Sequence, residues 1–562
     1  MDIGIRRKPA LMHGSLLHDK GKATASAPGD LQQVLAYHER TKHRLKRYAA
    51  GPETLDWSSQ PDPVRRFAGA PSISLPLSAD RLTTPYYAMH QSGAVPPQPL
   101  SLESIGLLLE LSLGLSAWKE YGPDRWALRC NPSSGNLHPT EGYLICRAIP
   151  TLEDGVYHYL SRDHALEQRC RSGVQIRPDP PARLLIGLSS IHWREAWKYG
   201  ERAFRYCQLD IGHALGALRY AAAALGWRLH LVEGVSWQQI ARQLGLDRRE
   251  DFSGAEPEEA ELLLEVIVDT GAESVLSGPG EPVEALSANR VWNGRANVLD
   301  PHPMYHWPVI DEVAEATRTH EVKSEPSAVA AYPPRCCQST ELAATLIRQR
   351  RSAQRFDGRY EMKRHDFYCL LDALLPRPVP PWDVWGFSPR LHPVMFVHRV
   401  EGLVPGLYIL LRRAAAGESL RAALHSSFNW SKPSDCPDHI TFFQLAAAGC
   451  GQLAKTIHCH QAIAADSAFA LGMLAEYEDT LTAAPWRYRQ LHWEAGLLGQ
   501  ALYLEAEALG LRGTGIGCYF DDTFHQLLGL SGRAFQSLYH FTVGYPLTDS
   551  RILTLPPYPE RQ

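Results

Sequence analysis

The chain has 562 residues, 44% of them hydrophobic and 21% charged, with a formal net charge of −4 and a pI near 6.7. That is enough ordinary globular material for two cores of about 200 residues each, and it gives no electrostatic reason to expect nucleic acid or an acidic membrane as partner. No apolar run approaches ~18 residues, and eleven cysteines, an odd number spread along the chain, argue against a disulfide framework; a cytoplasmic protein is expected.

In chain order, residues 1–71 read as a loose leader and an N-terminal extension rich in Pro, Arg and Trp, with one short helix around Leu31 to His43. A first module is expected over 72–272. It contains the run Arg129-Cys130-Asn131-Pro132-Ser133-Ser134-Gly135-Asn136-Leu137-His138-Pro139, then a strand at Tyr143 to Cys146 and a Gly-x-Tyr at Gly155 to Tyr157. The segment Trp197-Lys198-Tyr199 follows, before a helix that carries Gly212, Leu218, Ala222, Leu225 and Gly226. A connector over 273–335 is too aromatic for a free linker, with Trp292-Asn293-Gly294 and the run from His302 to Trp307, and is expected to wrap a module surface.

The second module, 336–562, repeats the first in outline. Gly386-Phe387-Ser388-Pro389-Arg390-Leu391-His392-Pro393 is a poorer copy of the Pro-Ser-Ser-Gly-Asn run, again followed by a strand and a Gly-x-Tyr, Gly406 to Tyr408. Gly496, Leu502, Ala506, Leu509 and Gly510 match the helix of the first module at a constant offset of 284. A period of that size is a duplicated domain and not a short-period solenoid.

The copies differ where chemistry would sit. The second opens with Arg350-Arg351-Ser352-Ala353-Gln354-Arg355, guanidiniums and a hydroxyl suited to gripping a phosphate. It also carries Gly513-x-Gly515-x-Gly517, glycines that let a backbone approach a flat ligand in a turn. The first copy has Arg81-Leu82-Thr83 and Trp227 to Val232 at those places, but it keeps the complete Pro-Ser-Ser-Gly-Asn loop. Each copy holds half of a site. Cys336-Cys337 and His458-Cys459-His460 lack a second pair at zinc spacing, so no metal site is expected. Asp210 and His213 read as helix-face residues.

These motifs, Arg350-Arg351-Ser352-x-x-Arg355, Pro132-Ser133-Ser134-Gly135-Asn136 and Gly513-x-Gly515-x-Gly517, resemble those of the nitroreductase-like FMN flavoproteins, and within them the SagB-type, azoline-oxidising dehydrogenases, in a tandem-domain form. The resemblance covers nearly everything after residue 30. It implies an α+β fold of two tandem modules, three-layer helix and sheet, forming an intramolecular pseudo-dimer with one FMN between them.

The resemblance implies that Arg350, Arg351, Ser352, Arg355 and Arg551 hold the FMN phosphate and ribityl chain. Pro132, Ser133, Ser134 and Asn136 would contact the ring from the opposite module, with amides near Gly515 and Gly517 at its edge. Lys198 and Tyr199 match the family's Lys-Tyr motif and would be the catalytic pair, removing a proton while hydride passes to the flavin. The substrate would be a small molecule or peptide, with other biosynthetic enzymes as further partners and higher oligomerisation left open. An NAD(P)H-dependent nitro or enone reductase, a flavin-cleaving enzyme of the same fold, and a flavin-poor scaffold are the competing readings.

Overall fold

The computed structural model describes residues 29–172, 182–268, 290–322, 325, 332–335, 337 and 339–561. The expected leader up to residue 28, Cys336 and the part of the connector that holds Gly278 lie outside them.

Two antiparallel sheets carry the same strand order. In the first the sequence across the sheet is Ala165–Ser172, Gly155–Leu160, Thr140–Arg147, Arg183–Ser190, Glu259–Ile267 and Arg228–Leu231. In the second it is Phe442–Ala447, Gly406–Leu410, Leu391–Val397, Phe469–Glu476, Phe535–Gly544 and Arg512–Ile516. All neighbours in both are antiparallel. The repeat seen in the sequence is thus a repeat of topology: the chain folds as two tandem modules of the same sheet order. The first sheet is extended at its edge by Arg290–Trp292 from the connector, and by Ser72–Ser74, both pairing with Ala165–Ser172.

Between the sheets lie two helices of 22 residues, Ala203–Ala224 and Arg487–Ala508. A helix exposed to water on one side needs a polar face, but every residue of Ala203–Ala224 is buried, which is why its sequence is apolar or small nearly all round. The two helices cross backbone to backbone at the glycines that the sequence repeat had matched. A Cβ on Gly212 would lie 2.2 Å from the Trp493 carbonyl oxygen, and one on Gly496 would lie 2.1 Å from that of Leu209.

The modules also exchange their ends. The C-terminal strand Leu553–Leu555 pairs with Leu115–Tyr121 of the first module, and Tyr558 accepts a hydrogen bond from the Leu115 amide while donating to the Ser161 carbonyl. From the N-terminal side, the helix Asp30–Arg40 packs on Pro308–Ala316, and the His43 amide donates to Asp521. No described helix is long and apolar enough to cross a membrane. Cys369 is disulfide-bonded, and among the described residues nine other cysteines are free.

One expected element changes type. The segment Arg512–Ile516 is a strand and not a turn. Its glycines, and Gly517 just beyond it, are required by close approach: Cβ atoms on Gly513, Gly515 and Gly517 would meet the Phe541 ring at 2.5 Å, the Tyr539 hydroxyl at 1.7 Å and the Tyr206 ring at 2.3 Å.

Gly496→Ala forces a Cβ into a backbone carbonyl that has no rotamer to retreat to. The expected cost is about 3 kcal/mol or more, at the upper end for overpacking, measured by denaturant unfolding. Gly51→Ala, where a Cβ meets nothing within 4 Å, is the control and leaves stability nearly unchanged.

Candidate functional site

A cavity of about 500 Å3 opens where the modules meet. Its first wall comes from module one: the loop Asn131 to His138, with Tyr199, Tyr206, Asp210 and His213 behind it. Its second wall comes from module two: Arg350 to Gln354, Tyr503, the strand Arg512–Ile516 with Gly517 and Cys518, and Tyr539.

The loop owes its shape to its residue types. Gly135, Asn136 and His138 all take positive φ, 60°, 60° and 53°, a region that glycine and asparagine enter most readily. Gly135 is also pressed by the Tyr199 hydroxyl, 2.4 Å from where its Cβ would be. Ser133 Oγ accepts from the His138 amide at 2.8 Å, and Asn136 Nδ2 donates to the Ala127 carbonyl at 2.8 Å. The Ser134 amide and hydroxyl both donate to Asp210, at 3.2 and 3.3 Å.

Arg350 ties the walls together. Its guanidinium donates to the Cys130 and Arg129 carbonyls, each at 3.2 Å, and lies over the Tyr503 ring. The Tyr503 hydroxyl meets Ser352 Oγ at 2.7 Å and accepts from the Gly515 amide at 3.0 Å. The expectation that the Gly515 amide faces a ligand therefore needs correcting: in this structure it is bonded to Tyr503. Gly517 is held from module one, its carbonyl accepting from Tyr206 at 3.1 Å and from Arg202 at 3.2 Å.

One end of the cavity is strongly cationic. Lys119, Arg351 and Arg512 converge there, with Lys119 donating to Thr554 at 2.5 Å. Burial, and then the neighbouring Arg350, pull the Arg351 guanidinium down to about 10. Glu507, 3.9 Å from Arg512, is pushed up to about 7 by burial and offsets only part of that charge near neutrality.

Comparison with known proteins agrees with the architecture. Residues 439–545 match the sequence model of the Nitroreductase family. A crystal structure of a nitroreductase from Anabaena variabilis superposes with a TM-score of 0.65 at 21% identity, over 93% of this chain and all of that one. The chain has a nitroreductase-like fold, and its residues 439–545 are similar to the Nitroreductase family. Among curated relatives, a nitroreductase of Methanocaldococcus jannaschii is 25% identical over 137 residues, covering 23% of this chain and 66% of its own. The trifolitoxin-processing protein TfxB of Rhizobium leguminosarum bv. trifolii is 30% identical over 145 residues, covering 23% of this chain and 39% of its own.

Within this nitroreductase-like frame, ten of the thirteen site residues expected from sequence surround one cavity: Pro132, Ser133, Ser134, Asn136, Tyr199, Arg350, Arg351, Ser352, Gly515 and Gly517. Three do not line it. Arg355 is exposed, its carbonyl accepting from the Leu547 amide. Arg551 is exposed and paired with Asp549 at 2.7 Å. Lys198 stands behind Tyr199, half-buried between the Trp57 and Tyr199 rings, 5.4 Å from each, and burial lowers its pKa.

Asp210 and His213, expected to be mere helix-face residues, are instead on the cavity wall. His213 meets the Tyr539 hydroxyl at 3.0 Å, and burial holds it neutral, down at about 3. Their signal was the spacing of three around Gly212, which turns both toward one side of a helix. Arg512 could also have been found, since it directly precedes Gly513. Lys119 had no such signal.

The pseudo-equivalent place in the other direction is filled. Arg219 stands where module two has Tyr503, at the same offset of 284, and makes two hydrogen bonds of 2.7 Å to Asp383. Phe387 packs between Trp385 and Trp486. Arg81 lies outside, 3.8 Å from Glu103.

A buried ion cluster locks Gly517 in place. Asp521 accepts from Arg202 at 3.1 Å and Arg205 at 3.2 Å; burial raises its pKa, but the two guanidiniums outweigh burial and hold it at about 2. Asp521→Asn leaves two buried guanidiniums without their carboxylate, so a loss of about 3 to 5 kcal/mol in denaturant unfolding is expected. Because the folded-state pKa is depressed, this stabilisation is present above the ordinary aspartate value of 3.8 and fades as pH falls toward about 2. The gap between wild type and variant should close over that window.

Proposed function

We propose that the chain is an FMN-dependent oxidoreductase, a dehydrogenase that oxidises a heterocycle or amino-acid-derived unit, of the azoline-to-azole type, in peptide or natural-product biosynthesis. The observation that carries this reading is a single cavity built from both modules, with Arg351 and Arg512 of module two and Lys119 of module one at its cationic end and the polar loop Asn131 to His138 supplied by module one. Its volume of about 500 Å3 suits a nucleotide-sized ligand. Its donor set fits FMN: three crowded cations, with Arg351 already drawn down by burial and by Arg350, are the environment that a phosphate dianion relieves.

In this reading Arg351, Arg512 and Lys119 hold the phosphate. Arg350 holds the loop carbonyls while Ser352 faces the ribityl chain, and Pro132, Ser133, Ser134 and Asn136 lie against the ring. When bound, FMN supplies a two-electron acceptor of hydride. Lys198, made less basic by burial, is the proton acceptor, and Tyr199 forms the wall through which it acts. The similarity to a trifolitoxin-processing protein supports a peptide-maturation setting, with biosynthetic enzymes as partners.

Two variants separate binding from chemistry. Arg351→Ala should weaken FMN binding by about 1.5 to 3 kcal/mol, the size of a hydrogen bond to a charged group, whereas Arg355→Ala and Arg551→Ala should not. Lys198→Ala should keep the flavin and slow its reduction by ~10²-fold or more, followed by anaerobic stopped flow with thiazoline and oxazoline peptides, dihydro-heterocycles and nitroaromatics. A Lys198→Ala protein reduced at the wild-type rate by the best substrate would remove the base. A wild type reduced only by nicotinamide would replace the dehydrogenase with a reductase.

A further inference from the structure

Behind the Ser133–Ser134 loop two carboxyl groups are buried together. Glu195 is 0% and Asp210 1% exposed, and neither forms an ion pair among the described residues. The Asp210 oxygens accept from the Ser134 amide and hydroxyl. Both Glu195 oxygens lack a well-formed hydrogen bond, although the Ser133 hydroxyl faces both carboxyls.

The duplicated fold shows what a purely structural carboxylate looks like at this place. Glu494 is the residue equivalent to Asp210, at the same offset of 284. It too accepts from backbone amides, those of Arg390 and Leu391, but it is neutralised by a salt bridge to Arg412. Asp210 has no such guanidinium among the described residues, and a second carboxyl, Glu195, is buried near it. Two carboxylates buried near one another are costly to ionise together, which favours one proton held between them near neutral pH.

We propose that Glu195 and Asp210 hold one proton between them and serve the cavity as the acid–base pair that receives the proton released on substrate oxidation. This deepens, and rests on, the dehydrogenase reading. Oxidation of a dihydro-heterocycle breaks two bonds to hydrogen. One hydrogen leaves with its electron pair as hydride to the bound flavin, which is the oxidant. The other leaves as a proton toward Lys198, whose pKa burial lowers, and its electron pair forms the new double bond. Lys198 lies one turn from Glu195 on the helix His192–Tyr199, so the ammonium passes the proton on. The pair goes from one shared proton to two neutral acids, and then returns a proton to solvent.

The groups facing the pair leave no competing acid near neutrality. Burial pushes Cys207, Tyr199 and Tyr539 up and holds His213 down at about 3. Arg350 and Glu261 stand beyond them, facing His213 and Cys207. Lys198 is the nearby cation, and it opposes the effect of Asp210 on Glu195. Burial pushes Asp210 up to about 7 and Glu195 well above its ordinary value.

The test needs no substrate. Infrared spectra of the FMN-loaded protein, recorded across neutral pH in light and heavy water, read the C=O stretch of a protonated carboxyl. Wild type should show such a band, titrating near pH 7. Asp210→Asn, which keeps an oxygen for Ser134, should abolish that titration while retaining the flavin spectrum, and Glu195→Gln should do the same. A wild type with no protonated carboxyl at neutral pH, or a band unchanged in both variants, overturns the inference. Flavin reduction by azolines is then scored separately in wild type. If it fails while the band titrates as described, the dehydrogenase reading falls and the proton-holding pair stands. If it succeeds at the same rate in Asp210→Asn, the pair has no part in the reaction.

Discussion

Backbone contact between the two long helices at Gly212 and Gly496 is the constraint from which the site follows. With Cβ positions 2.2 and 2.1 Å from the opposing carbonyls, no other residue permits this crossing without moving a helix. Asp210 and His213 flank Gly212, and Gly499 is pressed against the His213 ring, 2.6 Å from where its Cβ would be. The distance between the walls of the cavity is therefore set by the helix crossing and not by the loops that line it. Rigid elements hold a site more precisely than loops do, and here the loop 131–138 is itself anchored to the helix through Ser134 and Asp210.

A symmetric scaffold need not keep symmetric chemistry. The helix crossing and the sheet order demand the same small and apolar residues from both copies, so those repeat. Nothing in the scaffold demands two ligand sites. On one side of the pseudo-twofold Tyr503 shapes an open cavity; on the other, Arg219 takes its place and is closed off by Asp383. Where one copy neutralises its buried carboxylate with Arg412, the other sets Glu195 beside Asp210. Fusing two copies into one chain allows this division, because each half is free to lose what the other supplies.

Much of this was legible in the sequence because it depends on local pattern. The matched Gly212 and Gly496 gave the duplication, and the Pro-Ser-Ser-Gly-Asn loop, complete in only one copy, marked the half of the cavity that module one supplies. What was not legible depends on contacts distant in the chain. Gly513-x-Gly515-x-Gly517 reads equally as a turn or as a strand of period two, and only Tyr539, Phe541 and Tyr206 decide it. Arg355 and Arg551 share composition with Arg351, but which guanidinium enters the cavity depends on how the chain leaves the helix Ala343–Gln349, where Arg350 turns extended. Asp210 read as a polar residue on a helix face because the spacing to His213 puts both on one side of a helix buried all round, and only the fold shows that this side meets a cavity.

The central claim is that two modules make one site, with the reciprocal place closed by Arg219, Asp383 and Phe387. Saturating the purified chain with FMN, removing the excess and releasing the bound flavin with acid gives the flavin per chain directly. The account predicts one. Two FMN per chain would show that the second place opens and would contradict the division of the site between the copies.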